Sequence, residues 1–289
     1  YDEIIYDTLA DCRTRKSADE QTIMRFLVDQ AITAHKDCMK NVKDAILERD
    51  LENRFWVKST ELTFCRNHPY EMICASGKNS AILHYIENEA ELESGNLVLC
   101  DMGTKMVGYC SDITCTYPIN GKFTDKQKNI YNIVLDANKK VQEMAKPGVS
   151  WVDCHKAAEK VILTGLQKLG LLKSDTPVEE LQEHRVSYYF FPCGVGHFVG
   201  LETHDVGGYC IDSPPRPTEK GLDKLRTARY LEEGNIITDE PGIYFIPFLL
   251  EQAFADPDIG FYFIQDKIKE YYDFGGVRIE DELLITSNG

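Results

Sequence analysis

Four carboxylates and one imidazole in this sequence have the residue types and placement to hold metal ions. Asp101 follows the apolar run Leu97-Val98-Leu99-Cys100, and Asp112 lies on the next strand-like stretch, across a turn near Gly103 to Lys105. A hairpin would bring the two together, and like charges facing each other across strands destabilise a sheet unless something positive sits between them. A divalent cation would supply that charge. Glu240 interrupts another apolar strand just before Pro241-Gly242, while Glu280 shares one face of the last strand with Arg278, opposite Val277 and Ile279. His197 stands in the glycine-rich, apolar stretch FFPCGVGHFVG, where glycines allow close backbone approach and the ring can be held through its second nitrogen. Together these side chains form a donor set for two hard-to-borderline divalent ions, better suited to manganese or a neighbour than to structural zinc. Taken singly, each has a plainer reading as an ion-paired carboxylate or a hydrogen-bonded core histidine.

The elements that must carry them are legible from periodicity. Residues 17–52 read as one long helix or two shorter ones: Ser17 and Glu20 form a capping box, and Ile23, Phe26, Leu27, Ala31 and Ala34 follow at helical spacing. A further helix begins at Thr124, with Gln127 as its box partner, and stops at Lys146-Pro147-Gly148. Ser150 is placed to cap the next helix, which ends near Gly170. Strand-like stretches lie at 96–103, 107–119, 235–245 and 274–286, and the prolines and charges of 210–224 mark an exposed loop. Helices alternating with hairpin-like strands indicate an α+β class, and no interior linker divides the chain.

Composition narrows the function. At 289 residues the chain can bury a large core. Its 32 basic and 47 acidic side chains give a net charge of −15, a field that repels nucleic acid and anionic membrane. No apolar run reaches the roughly 18 residues of a membrane span. The opening residues YDEIIYDTLADCR lack the pattern of a signal peptide. Ten cysteines with no Cys-x-x-Cys pair point to reduced thiols in a cytoplasmic setting.

The order and wording of the segments add a resemblance. DMG at 101–103, SDIT at 111–114, GHFVGLETHDVGG at 196–208, DEPGIYF at 239–245 and GGVRIEDE at 275–282 resemble the metallopeptidase family with the pita-bread fold, in which a curved, mostly antiparallel sheet is covered by helices. ASGKNSAILHY at 75–85, NGKFTDKQ at 120–127, LRTARYLEEG at 225–234 and GIYFIPFLLEQAFADP at 242–257 sharpen the likeness to the Xaa-Pro dipeptidases, or prolidases. The resemblance implies a dinuclear centre in which Asp112 and Glu280 bridge the ions, Asp101 completes one, and His197 with Glu240 completes the other. Manganese is the ion first expected, with cobalt and zinc as alternatives. A hydroxide shared by the ions would attack the carbonyl before proline, and Glu240 would carry a proton to the departing imino nitrogen. By the same resemblance His84 and His204 would contact substrate, Arg226 would grip the free carboxylate of a dipeptide, and Tyr70 and Arg278 would touch or support it. His35, His68, His155 and His184 match nothing in the pattern and read as surface or structural.

The sequence also departs from the family. Cys193 stands where prolidases have a pocket histidine, which leaves metal binding in place but alters rate or substrate choice. Ile86-Glu87 replaces a Gly-His pair after His84, and Asp239 beside Glu240 should turn away from the metals. Residues 1–16 read as an extension or linker remnant and 17–289 as the catalytic domain, with the family's amino-terminal domain, which helps form a homodimer, not represented. Two other readings stand beside the dipeptidase: an aminopeptidase P-like enzyme acting on longer Xaa-Pro peptides, and a non-catalytic binding module on the same fold.

Overall fold

The computed structural model describes residues 2–64 and 67–289. Its helices are α1 (Asp2–Thr14), α2 (Ala18–Asn41), α3 (Glu48–Thr63), α4 (Asp125–Met144), α5 (Trp151–Lys168), α6 (Val178–Glu183), α7 (Pro247–Ala255) and α8 (Gln265–Lys269). Its strands are β1 (Ile73–Ser76), β2 (Leu97–Asp101), β3 (Lys105–Met106), β4 (Tyr109–Cys110), β5 (Thr114–Pro118), β6 (Ile236–Asp239), β7 (Gly242–Tyr244), β8 (Gly276–Arg278) and β9 (Asp281–Leu284). The α+β class expected from the sequence is what forms.

Alternation along β2 explains the layering. Leu97 and Leu99 enter the large core with α4 and α5, whereas Val98 and Cys100 enter a second core with Ala31, Ala34 and Cys38 of α2 and Leu51 and Phe55 of α3. The sheet is therefore buried on both faces, each covered by a helix pair. Gly165 permits the α4–α5 contact, because a Cβ there would lie 2.6 Å from Ile133. Both capping boxes form, Ser17 with Glu20 and Thr124 with Gln127. Ser150 occupies the N-cap of α5 but its side chain makes no capping bond.

The stretch 17–52 forms two helices, one of the two arrangements read from the sequence, and the second runs on to Thr63. Other elements add to or depart from that reading. Residues 2–14, read as an extension, are helical and tied to the body: Asn235 Nδ2 donates to Thr14 O at 2.8 Å, and Arg229 pairs with Asp11 at 2.6 Å. The stretch 107–119 divides into β4 and β5, so Asp112 lies between strands rather than on one. The last two stretches divide as well. β6 pairs antiparallel with β9 and β7 with β8, and Glu240 and Glu280 sit in the facing gaps. A strand break at each carboxylate frees it from strict alternation and lets both turn to the same side.

The nine described cysteines are free, and Cys65 lies outside the described residues. No helix among the described residues is long and apolar enough to cross a membrane.

Candidate metal centre and flanking cavities

Backbone pairing explains why residues far apart in sequence meet. β1, β2 and β5 form one antiparallel sheet, with Asp101 at the end of β2 opposite Thr114. Beyond it the chain runs through β3, turns at Val107–Gly108, later than the sequence suggested, and returns through β4; Gly103 lies so near the returning segment that a Cβ there would be 1.8 Å from Ser111 O, and the N–H of Met102 donates to Ile113 O at 3.1 Å. Asp112 is thereby held beside Asp101. The segment around His197 runs alongside β6: Glu240 N–H donates to Val195 O and Thr238 N–H to His197 O, each at 2.8 Å. Gly196 has to be glycine there, since a Cβ would lie 1.9 Å from Thr238 O. Glu280 reaches the same place through Thr114, its backbone N–H donating to Thr114 O at 3.1 Å.

One oxygen of Asp112, one of Glu280 and one ring nitrogen of His197 all lie within 4.8 Å of one another, and the three side chains are buried. His197 Nε2 is 3.4 Å from Asp112 Oδ2 and 3.3 Å from Glu240 Oε1. Its Nδ1 is 3.0 Å from Phe198 O and donates to it, which directs the Nε2 lone pair at the carboxylates. Asp101 completes the group at one remove. Tyr70 Oη donates to its Oδ1 at 2.8 Å, and Arg278 Nη2 to its Oδ2 at 2.7 Å.

Electrostatics show what the cluster lacks. Burial, reinforced by Asp112, raises the Glu280 carboxyl well above its usual range. Burial also raises Asp112, with Asp101 adding to it, and lifts Glu240 to about 7. His197 is raised to about 8, because its carboxylate partners outweigh the burial that opposes its charge. Among the described residues, Arg278 is the one arginine bonded into this carboxylate group, and its fork is spent on Thr114, Tyr244 and Asp101. Carboxylates this close call for added positive charge, and the oxygen-rich donors with one imidazole fit divalent cations of the manganese to zinc range.

Two cavities flank the cluster. One of about 480 Å³ is lined by Tyr70, Ile73, Ile86, Asp101, Asp112 and Leu201 among others. The second, of about 390 Å³, is lined by Cys193, His197 and Glu240 together with Arg216, Asp223, Lys224 and Arg226. His84 and His204 line both, standing where the two meet. The His204 ring is perpendicular to His197 at 4.4 Å, and burial together with nearby cationic groups pushes its pKa down to about 3. Cys193 carries a thiol pushed up to about 12 by burial and by Glu240. Tyr70 and Arg278 are engaged with Asp101, as supports would be.

None of the four unassigned histidines joins the cluster, though His35 packs directly behind Asp101. His35 is buried against Met102 O at 2.9 Å, His155 bonds Glu159 at 3.2 Å, His68 meets Ser59 Oγ at 2.9 Å, and His184 packs on Tyr262. Asp239 faces Asn138, whose Nδ2 donates to its Oδ2 at 3.0 Å. The sequence reading missed several supports. Thr238 Oγ1 donates to Glu240 Oε1 at 3.2 Å, and Glu282 Oε1 accepts the Asp112 N–H at 2.6 Å. Glu282 could have been found from its two-residue spacing from Glu280; nothing in the sequence marked Thr238.

A profile of metallopeptidase family M24 matches residues 22–287. The chain is 40% identical over 290 residues to the Xaa-Pro dipeptidase of Rattus norvegicus, covering 99% of this chain and 58% of that protein. It is 38% identical, with the same coverage, to the Xaa-Pro dipeptidase of Homo sapiens. Among solved structures, a zinc-substituted Escherichia coli aminopeptidase P in complex with product superposes with a TM-score of 0.80 at 34% identity, over 97% of this chain and 56% of that one. The chain thus spans a little over half the length of the relatives it matches, and it shares the pita-bread fold of its structural neighbours.

Proposed function

Since the chain belongs to metallopeptidase family M24, we propose that it hydrolyses Xaa-Pro dipeptides with two divalent ions held by Asp101, Asp112, His197, Glu240 and Glu280. The observation that carries this reading is the buried cluster of Asp112, His197 and Glu280, with Glu240 in contact and Asp101 held beside it. Manganese is the ion to test first, with cobalt and zinc next, and the free thiols suit a reducing, cytoplasmic setting.

A divalent pair at this centre would polarise a carbonyl and lower the pKa of water towards about 7. The chain's own groups do the rest. Asp101, Asp112, His197, Glu240 and Glu280 would hold the pair, with Asp112 and Glu280 shared between the ions as the family resemblance implies. Glu240, partly open to the second cavity, holds the proton that the imino nitrogen of proline takes up on leaving. His84 and His204 stand where a scissile bond would cross from one cavity to the other. Arg226 offers a two-toothed donor to a terminal carboxylate. Tyr70 and Arg278 keep Asp101 aimed.

The aminopeptidase reading has support in the structural likeness to aminopeptidase P. The dipeptidase reading has the cationic side chains of the second cavity, which suit a free carboxylate one residue beyond the scissile bond. Metal stoichiometry and Gly-Pro hydrolysis, measured on one preparation with manganese and after chelation, test the proposal. About two ions per chain and chelator-sensitive cleavage support it. Trace metal and no cleavage point to a binding module, and cleavage of longer Xaa-Pro peptides alone points to the aminopeptidase.

A further inference from the structure

The second cavity holds an unexplained charge. Three cationic side chains line it, Arg216, Lys224 and Arg226. Lys224 Nζ lies 2.8 Å from Asp223 Oδ2 and is paired. Neither arginine makes an ion pair among the described residues. Burial disfavours the charge on Arg226, Glu240 partly supports it, and Arg216 is close enough to oppose it. Two guanidinium groups lining one cavity, neither ion-paired, offer an anionic ligand a pair of forked donors.

Arg216 is exposed to solvent but held in a fixed place by its anchoring contacts. It sits between Pro215 and Pro217, whose rings restrict the backbone on either side. Its guanidinium stacks 4.2 Å from the Tyr209 ring centre, and its Nη1 donates to Leu225 O at 2.5 Å and Asp223 O at 3.1 Å. Tyr209 Oη donates to the same Leu225 O at 2.8 Å. Nη1 is therefore the anchor, while Nη2 and Nε have no protein partner among the described residues. Leu225 directly precedes Arg226, so the contact fixes the two arginines relative to each other.

We propose that Arg216 is a second carboxylate-binding residue, which with Arg226 reads the free C-terminal carboxylate of the substrate and restricts cleavage to dipeptides. This inference rests on the Xaa-Pro reading above. It differs from that reading in assigning substrate length to the proline-flanked loop. A peptide extended beyond proline would place a neutral amide against two cations and lose the charge-assisted bonds.

Binding of L-proline and of L-prolinamide to the manganese-loaded protein separates the two ideas, because neither compound is hydrolysed. Arg216→Gln is expected to weaken L-proline roughly tenfold and leave L-prolinamide unchanged, with Arg216→Lys recovering part of the loss. In steady-state assays, the KM for Ala-Pro should rise by a similar factor while kcat stays within about twofold. Unchanged proline binding in Arg216→Gln, an equal loss for both compounds, or no preference for proline over prolinamide in the unsubstituted protein overturns the inference. Absence of Ala-Pro cleavage by the unsubstituted protein overturns the dipeptidase reading alone, since the proline titration still reports on Arg216.

Discussion

Thr114 and Glu280 hold each other twice: Thr114 Oγ1 donates to Glu280 Oε2 at 2.6 Å, and the Glu280 N–H donates to Thr114 O at 3.1 Å. The same hydroxyl accepts from Arg278 Nε at 3.2 Å. One buried threonine thus orients a proposed bridging carboxylate and, through Arg278, the proposed ligand Asp101.

Thr114→Val keeps the shape and deletes the hydroxyl. Metal affinity should fall by about 10- to 100-fold, the usual cost of losing a partner behind a ligand, and Thr114→Ser should restore most of it. A manganese titration followed by calorimetry decides; an unaltered affinity in Thr114→Val would show that Glu280 needs no such support.

Glu280→Gln separates the two faces of a metal ligand. Without metal, burial together with Asp112 and Glu240 disfavours an ionised Glu280, so a neutral amide carries no electrostatic cost there and the chelated variant should melt no lower than the chelated parent. With manganese the order should reverse, because the variant gains little from the ion. Differential scanning calorimetry with and without metal reads both, and a variant still stabilised by manganese as much as the parent would remove Glu280 from the proposed ligand set.

Cys193 offers the cavity a neutral thiol, since its pKa lies near 12. Cys193→His should restore a group able to donate to developing negative charge and raise kcat on Ala-Pro by about tenfold. Metal content should not change. Equal turnover in the two proteins would mean that the position lies outside the reacting geometry.

His35 makes stability depend on pH in a defined direction. Its ring is fully buried and its pKa is lowered to about 4, chiefly by burial, against about 6.5 in the unfolded chain. The folded state therefore favours neutral imidazole. This contribution is fully present above pH 6.5 and is lost as pH falls towards 4, amounting to about 2 kcal/mol between pH 7.5 and 5. Urea unfolding at both pH values should show a smaller difference for His35→Gln than for the parent; parallel losses would contradict the buried neutral ring.

Much of this was legible in the linear sequence. Helix caps are local, so Ser17 with Glu20 and Thr124 with Gln127 could be placed from spacing alone. The four proposed carboxylate ligands stood out because a carboxylate beside or within an apolar run needs a reason, His197 because of its glycine-rich apolar setting, and their motifs carried the family likeness. Short elements were less visible. α6 and α8 are too short for a periodic signal, and the strand breaks at Glu240 and Glu280 look in sequence like continuous strands.

The linear sequence was enough to name the proposed donors, because residue type and local pattern belong to a few neighbours along the chain. It set Asp112, Glu240 and Glu280 on strands, whereas folding leaves all three in breaks between strands, and folding alone settles which side chains meet and what supports them. The pairing of β6 with β9 and β7 with β8 closes gaps of about 40 residues, and the bonds that tie Thr114 to Glu280 and Asp112 to Glu282 span 166 and 170 residues. Contacts of that range depend on strand register, which is settled by packing of the whole core rather than by any local stretch.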